Sequence, residues 1–188
     1  MSYYDIDSIM TDAEKVPCKF ELDVPDLGYL DNSPSQPMKS GTIVGLPLWL
    51  AELLALANRA PSSAGDDAKS FVSLNLPPSL SNEVLSALKA DPRAVPLRDQ
   101  SHNLYGLATR MLDLFDEKEM CAILRRTFIM RAADVALHAG KAGATDDVGV
   151  GAGGEFLRGL EEWERGLFKK AHDGAKGSRE WMEGVKKH

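Results

Sequence analysis

Gly149-Val150-Gly151-Ala152-Gly153-Gly154 has the G-x-G-x-x-G spacing of a dinucleotide-binding turn. Glycines in that register let the backbone pass under a pyrophosphate and open a helix, and the mechanism also needs an apolar strand immediately before them. The residues in that place are Thr145-Asp146-Asp147-Val148, acidic and unlike a strand. The segment therefore reads first as a connector, and a small nucleotide-binding enzyme using 149–154 is the alternative. The other chemistry-bearing residues are scattered. His102, His138, His172 and His188 show no metal-ligand spacing, and His138 reads as a helix-end residue. No serine stands in a G-x-S-x-G elbow, and Cys121 falls on an apolar helical face where thiols are inert. Asp66-Asp67 and Asp146-Asp147 sit in loop-like sequence and read as solvating it. The expectation is no catalytic residue, no metal and no cofactor.

Residues suited to partner contacts are more prominent. Arg125 and Arg126 are adjacent on a helical stretch, so at least one guanidinium faces outward. With Arg131 they read first as a solvated helix face, second as salt-bridge partners, and only then as DNA contacts. Leu160, Trp163, Leu167 and Phe168 crowd one segment with more apolar width than a small bundle requires. Gly166 inside it costs roughly 1 kcal/mol against alanine, offset if another backbone packs there. Core and subunit interface both fit Trp163 and Phe168. Trp49 stands at a helix start between two modules, where an aromatic anchor fixes their relative position.

The bulk properties bound the rest. The chain has 188 residues, 44% of them hydrophobic and 27% charged, as in a soluble globular protein. Its net charge of −6 argues against nucleic-acid binding by the chain alone, since phosphate contacts need a basic face. Cys18 and Cys121 are far apart and suggest no disulfide framework, which favours a reducing compartment. No apolar run is long enough for a membrane span, and the N-terminus is acidic where a signal peptide is basic, so a soluble intracellular protein is expected.

Periodicity supplies the elements. Residues 1–12 suggest a short helix or capped turn. From Pro17 to Leu22 the side chains alternate, as in a half-buried strand, and Thr42-Ile43-Val44 is a second strand candidate. Between them Asp31 to Gly41 reads as a surface loop. Leu46-Pro47-Leu48-Trp49-Leu50-Ala51 marks a boundary: Pro47 opens a helix as its first residue, and Leu50, Leu53, Leu54 and Ala57 share a face. Residues 59–69 read as a mobile linker, and Phe71, Leu74 and Leu76 as a brief extended piece. A helix from Pro78 to about Leu88 stops at Asp91-Pro92. Leu104, Leu107, Ala108, Met111, Leu112 and Phe115 define an amphipathic helix. Cys121, Leu124, Phe128, Ala132 and Val135 define a longer one. After the Gly-rich loop 140–154, Phe156, Leu160, Trp163 and Leu167 share one face of a last helix, with Arg158–Glu162 and Glu161–Arg165 pairs elsewhere on it. The predicted fold is α+β, mainly α. A small β-rich N-terminal domain (1–45) precedes a helical bundle domain (46–188) with mobile loops at 59–69 and 140–154.

Several of these segments carry a family likeness. Tyr4-Asp5-Ile6-Asp7 through Lys15-Val16-Pro17, the segment 46–51, Ala90-Asp91-Pro92 with Val95 and Leu97, Tyr105-Gly106, Thr127-Phe128-Ile129 with Arg131, and Glu164-Arg165-Gly166-Leu167-Phe168 resemble, in order, the third Psf subunit of the GINS complex. The resemblance implies a non-catalytic structural subunit of a heterotetramer, each member built from a helical and a β-rich domain. It implies three sister GINS subunits, the MCM helicase hexamer and the Cdc-type helicase partner as partners. It places the chain in the nucleus, as a replisome accessory needed for initiation and elongation of DNA replication. Trp49, Leu50, Leu53, Tyr105, Phe128, Arg131, Leu160, Trp163, Leu167 and Phe168 are the candidates for partner interface or domain junction.

Overall fold

A computed structural model describes residues 4–33, 36–57, 70–142 and 152–186. The chain divides into two compact units, Met1–Pro78 and Ser79–His188.

The first unit is built on a three-stranded antiparallel sheet in the order β2-β1-β3. Strand β1 (Lys15–Phe20) is central, with β2 (Ile43–Pro47) on one side and β3 (Val72–Leu74) on the other. Period-two alternation sends Val16, Cys18 and Phe20 inward. The register pairs Val16 with Leu46 and Cys18 with both Val44 and Leu74. Helix α1 (Ile6–Asp12) precedes the sheet, and α2 (Leu48–Leu56) packs on all three strands through buried Leu48 and Ala51. The Leu48 N–H donates to the Glu14 carbonyl, tying the start of α2 to the turn before β1. Between β1 and β2 the chain makes a compact loop closed by a Val24–Met38 bridge, with Met38 buried beneath it. At Gly28 a Cβ would collide with the carbonyls of Ser33 and Gln36, so only glycine fits.

Two expectations change here. Pro47 ends β2 and caps α2, and Leu48 is the first helical residue. The boundary expected after residue 45 falls instead after Pro78: α2 buries its apolar face on the sheet, and β3 completes that sheet from beyond the linker. A sheet of β1 and β2 alone would leave its face uncovered. Trp49 therefore lies inside the first unit.

The second unit is helical: α3 (Asn82–Ala90), α4 (Leu97–Gln100), α5 (Leu104–Leu114), α6 (Lys118–Ala142), α7 (Ala152–Arg158) and α8 (Glu162–Lys186). Ser81 caps α3 at the Val84 N–H, and Pro92 follows its end. Long α6 is the spine, with α8 and α3 packed on it. Its inward residues include Met120, Leu124, Thr127, Arg131, Val135 and Ala139, whereas Cys121 is exposed and does not join the apolar face expected of it. Val135, Ala139, Leu160 and Phe168 form one core cluster, flanked by Phe156, Leu157 and Ala171.

The expected last helix is two. It breaks at Gly159-Leu160-Glu161, because Leu160 is drawn fully into the core and Glu161 begins a new capped helix. The expected i, i+4 pairs dissolve with it. Glu162 pairs with Arg98 at 3.4 Å, Glu161 is buried, and Arg165 donates to the Leu157 carbonyl. Residues 59–69 lie outside the described residues. Of 140–154, residues 140–142 close α6 and 152–154 open α7, while 143–151, including Gly149 and Gly151, lie outside them.

Candidate functional site

The centre of the helical unit is polar. Arg131 rises from α6 into the space between the α3–α4 connection and the break before α8, and all five of its N–H donors are engaged. Nε donates to Glu164 Oε1 at 2.7 Å and Nη2 to Glu164 Oε2 at 2.9 Å, a bidentate pair. Nη1 reaches the carbonyls of Pro92 and Val95, both at 3.1 Å, and Nη2 also reaches that of Gly159 at 3.2 Å. Arg131 is 7% exposed and Glu164 is fully buried. Burial opposes the guanidinium's charge, but the hydrogen bonds and charge of Glu164 outweigh it and hold its pKa above the usual value.

Glu164 closes the network. Its Oε1 accepts from the Tyr105 hydroxyl at 3.1 Å, and its Oε2 accepts from the Glu161 N–H at 3.3 Å. Burial, then the Glu164 charge, raises the Tyr105 phenol far above its ordinary value, so it stays a donor. Glu161 accepts the Trp163 N–H on Oε2 at 2.9 Å. Glu161 and Glu164 thus make a capping box at the start of α8, with glutamate where serine or threonine usually stands. Glu161 Oε1 is buried with no hydrogen-bond partner among the described residues. Burial is the main cause that pushes the Glu161 carboxyl up to about 7, against the backbone N–H of Trp163, which favours its ionised form.

An aromatic layer sits over this hub. Tyr105 meets Phe128 edge-on at 5.2 Å and stacks with Trp163 at 6.1 Å between ring centres. Trp163 is 42% exposed, and Leu167, one turn on, is also exposed. Phe168 faces the other way, into the cluster of Val135, Ala139 and Leu160.

The ten sequence candidates therefore divide. Arg131 is buried and does not form a solvated helix face, because Glu164 and three carbonyls engage its guanidinium. Tyr105, Leu160 and Phe168 are core, and Phe128 is half-buried beside Tyr105. Trp163 and Leu167 present apolar surface. In the first unit Trp49 (54% exposed) and Leu53 lie on one side of α2, with Leu56 one turn further and Leu50 half-buried. Gly166 has open space where a Cβ would stand, so among the described residues no backbone packs there. Among the other arginines, Arg126 donates to the Lys89 carbonyl and Arg125 is exposed. The His138 ring lies tilted against that of Phe156, 4.0 Å between ring centres, near the end of α6.

The sequence reading missed Glu161 and Glu164 as a buried pair, and Trp181 (69% exposed), Met182 and Val185 at the far end of α8. Trp181 lies five helical turns beyond Trp163 on the same side, a spacing that periodicity could have shown. Among the described residues no group of three or more His, Cys, Asp or Glu is placed to hold a metal ion, and no helix is long and apolar enough to cross a membrane.

The chain is a small sheet unit followed by a helical bundle, and sequence comparison matches both parts. The PSF3 N-terminal domain profile matches residues 4–56, and the GINS complex protein helical bundle domain profile matches residues 79–183. The chain is 63% identical to the DNA replication complex GINS protein PSF3 of Gibberella zeae, over 100% of this chain and 99% of that protein. It is 55% identical to psf3 of Neurospora crassa over the full length of both. Identity to PSF3 of Saccharomyces cerevisiae is 35% over 97% of this chain and 98% of that one. The chain belongs to the Psf3 family of GINS complex proteins. Within the helical unit, residues from the segments that carry the likeness converge in space: Pro92, Val95, Tyr105, Arg131 and Glu164, spread along the sequence, meet in one hydrogen-bonded hub.

Proposed function

We propose that this chain is a non-catalytic structural subunit of a heterotetrameric GINS complex, acting in the nucleus as an accessory of the replicative MCM helicase. Its partners are the three sister subunits, and through the assembly the MCM hexamer and the Cdc-type helicase partner. The observation that carries this reading is the end-to-end match to proteins named as GINS Psf3, held from 63% down to 35% identity. The surface is consistent with it. Trp49 and Leu53 on α2, and Trp163 and Leu167 on α8, expose apolar and aromatic area of the kind that anchors interfaces. The hub fixes the frame that presents the α8 face, since Glu164 is one residue from Trp163 and three from Leu167. The buried candidates Tyr105, Phe128, Arg131, Leu160 and Phe168 serve assembly indirectly, by holding that face in shape.

Purification of the tagged chain from cell extract, with partners identified by mass, tests the reading. Three co-purifying proteins in equal amounts are expected, and they persist at high salt because the contacts are apolar. Recovery of the chain alone as a stable monomer would refute it.

A further inference from the structure

The capping glutamate at the break between α7 and α8 occupies an unusual position. Two carboxylates, Glu161 and Glu164, are fully buried within one turn of each other, and among the described residues the Arg131 guanidinium pairs with Glu164 alone. Arg131 spends both of its carboxylate-directed bonds on Glu164. Glu161 accepts the Trp163 N–H on Oε2, the backbone N–H groups of Tyr105 and Glu164 also favour its charge, and its Oε1 meets no hydrogen-bond donor among the described residues. The charged and titratable groups around it are Glu164 on its own helix, Tyr105 from α5 and Arg131 from α6. Of these Tyr105 is held neutral, so with both glutamates ionised the buried cluster carries one more negative charge than its single cation balances, offset only in part by backbone N–H groups.

We propose that Glu161 is a proton-linked latch: it carries a proton in the native helical unit, and its ionisation loosens the capped start of α8 together with the Trp163 ring that this cap positions. The physical cause is the mismatch of two buried carboxylates to one cation. Protonation removes the surplus charge, leaves Oε2 or Oε1 to accept the Trp163 N–H, and costs no ion pair, because Glu161 has none. Its carboxyl is pushed up to about 7 from an ordinary 4.5.

The sign follows from linkage. The folded value lies above the unfolded one, so the stabilisation is fully present below about 4.5 and is lost as pH rises through about 7. Across that window the native state holds one more proton than the unfolded chain, and the unfolding constant rises by on the order of a hundredfold. The informative quantity is the difference between wild type and Glu161→Gln, which keeps the shape and fixes the neutral form.

The test uses the full chain in a Trp49→Phe, Trp181→Phe background, where Trp163 is the remaining indole. Its emission is followed from about pH 5 to pH 8, alongside urea unfolding at each pH. A one-proton change in Trp163 emission centred near 7 is expected, absent in Glu161→Gln, with the Gln variant the more stable of the two at the alkaline end. The emission titration on the Glu161 protein stands whether or not the variant folds. A flat Trp163 signal in that protein overturns the proposal. So does a transition that survives Glu161→Gln, which would place the proton elsewhere.

Discussion

Replacing Arg131 by methionine removes the cation from the hub while nearly preserving its volume. Glu164 is then buried with no counter-charge, and the carbonyls of Pro92, Val95 and Gly159 lose their side-chain donor. Breaking a buried ion pair from one side costs about 3–5 kcal/mol. Each carbonyl left dry adds to this, at about 1–3 kcal/mol before water enters. The prediction is a loss of at least about 4 kcal/mol, a large part of the roughly 5–15 kcal/mol that holds a typical domain together. Glu164→Leu alone is as damaging, since it strands Arg131. The double variant Arg131→Met, Glu164→Leu should recover part of the sum. Recovery is partial because the three carbonyls and the Tyr105 hydroxyl stay unpaired, with a coupling of up to about 3 kcal/mol. The assay is urea unfolding followed by far-UV circular dichroism, at concentrations where light scattering shows no aggregate. A cost below about 1 kcal/mol for Arg131→Met, or strictly additive single variants, would refute the claim that this pair organises the bundle.

Trp163→Ala and Trp181→Ala should each weaken assembly with the sister subunits by about 2 kcal/mol or more while changing the midpoint of the free chain little. Equal loss in free and assembled chain would show them to be core. Gly28→Ala should destabilise the first unit by about 1–3 kcal/mol, since its Cβ meets two backbone carbonyls that cannot step aside; an unchanged thermal midpoint contradicts that geometry. The isolated chain should self-associate through its exposed Trp163, Leu167, Trp181, Met182 and Val185, with light scattering as the measure.

The helices of the second unit were legible because their apolar residues recur at helical spacing over many turns, as from Leu104 to Met111. Strands β1 and β2 were legible from alternation and from Pro and Gly at their ends. The unit boundary was not. Nothing in residues 46–57 says that α2 covers the sheet, and the pairing of β3 with β1 spans more than fifty residues, a long-range contact that local pattern does not encode. Arg131 was misread for a related reason. A lone arginine on a helix is usually solvated, and its burial depends on Glu164, thirty-three residues away, and on three backbone carbonyls that only the tertiary fold brings within reach. The break at Gly159-Leu160-Glu161 was hidden because Phe156, Leu160, Trp163 and Leu167 kept helical spacing across it. Its signal was Gly159 followed by Glu161 and Glu164, a capping box written without serine or threonine. Core and surface could not be separated at Trp163 and Phe168 by type alone. In the fold Phe168 turns inward and Trp163 lies between hub and surface.

On the proposed function, this chain works by holding other proteins in register. The direct measurement is DNA unwinding by a reconstituted MCM-based helicase with this subunit withheld and then restored together with its sisters. Unwinding should fall to that of the motor without GINS and return on add-back. Full unwinding in its absence, or ATP turnover by the chain alone, would contradict it.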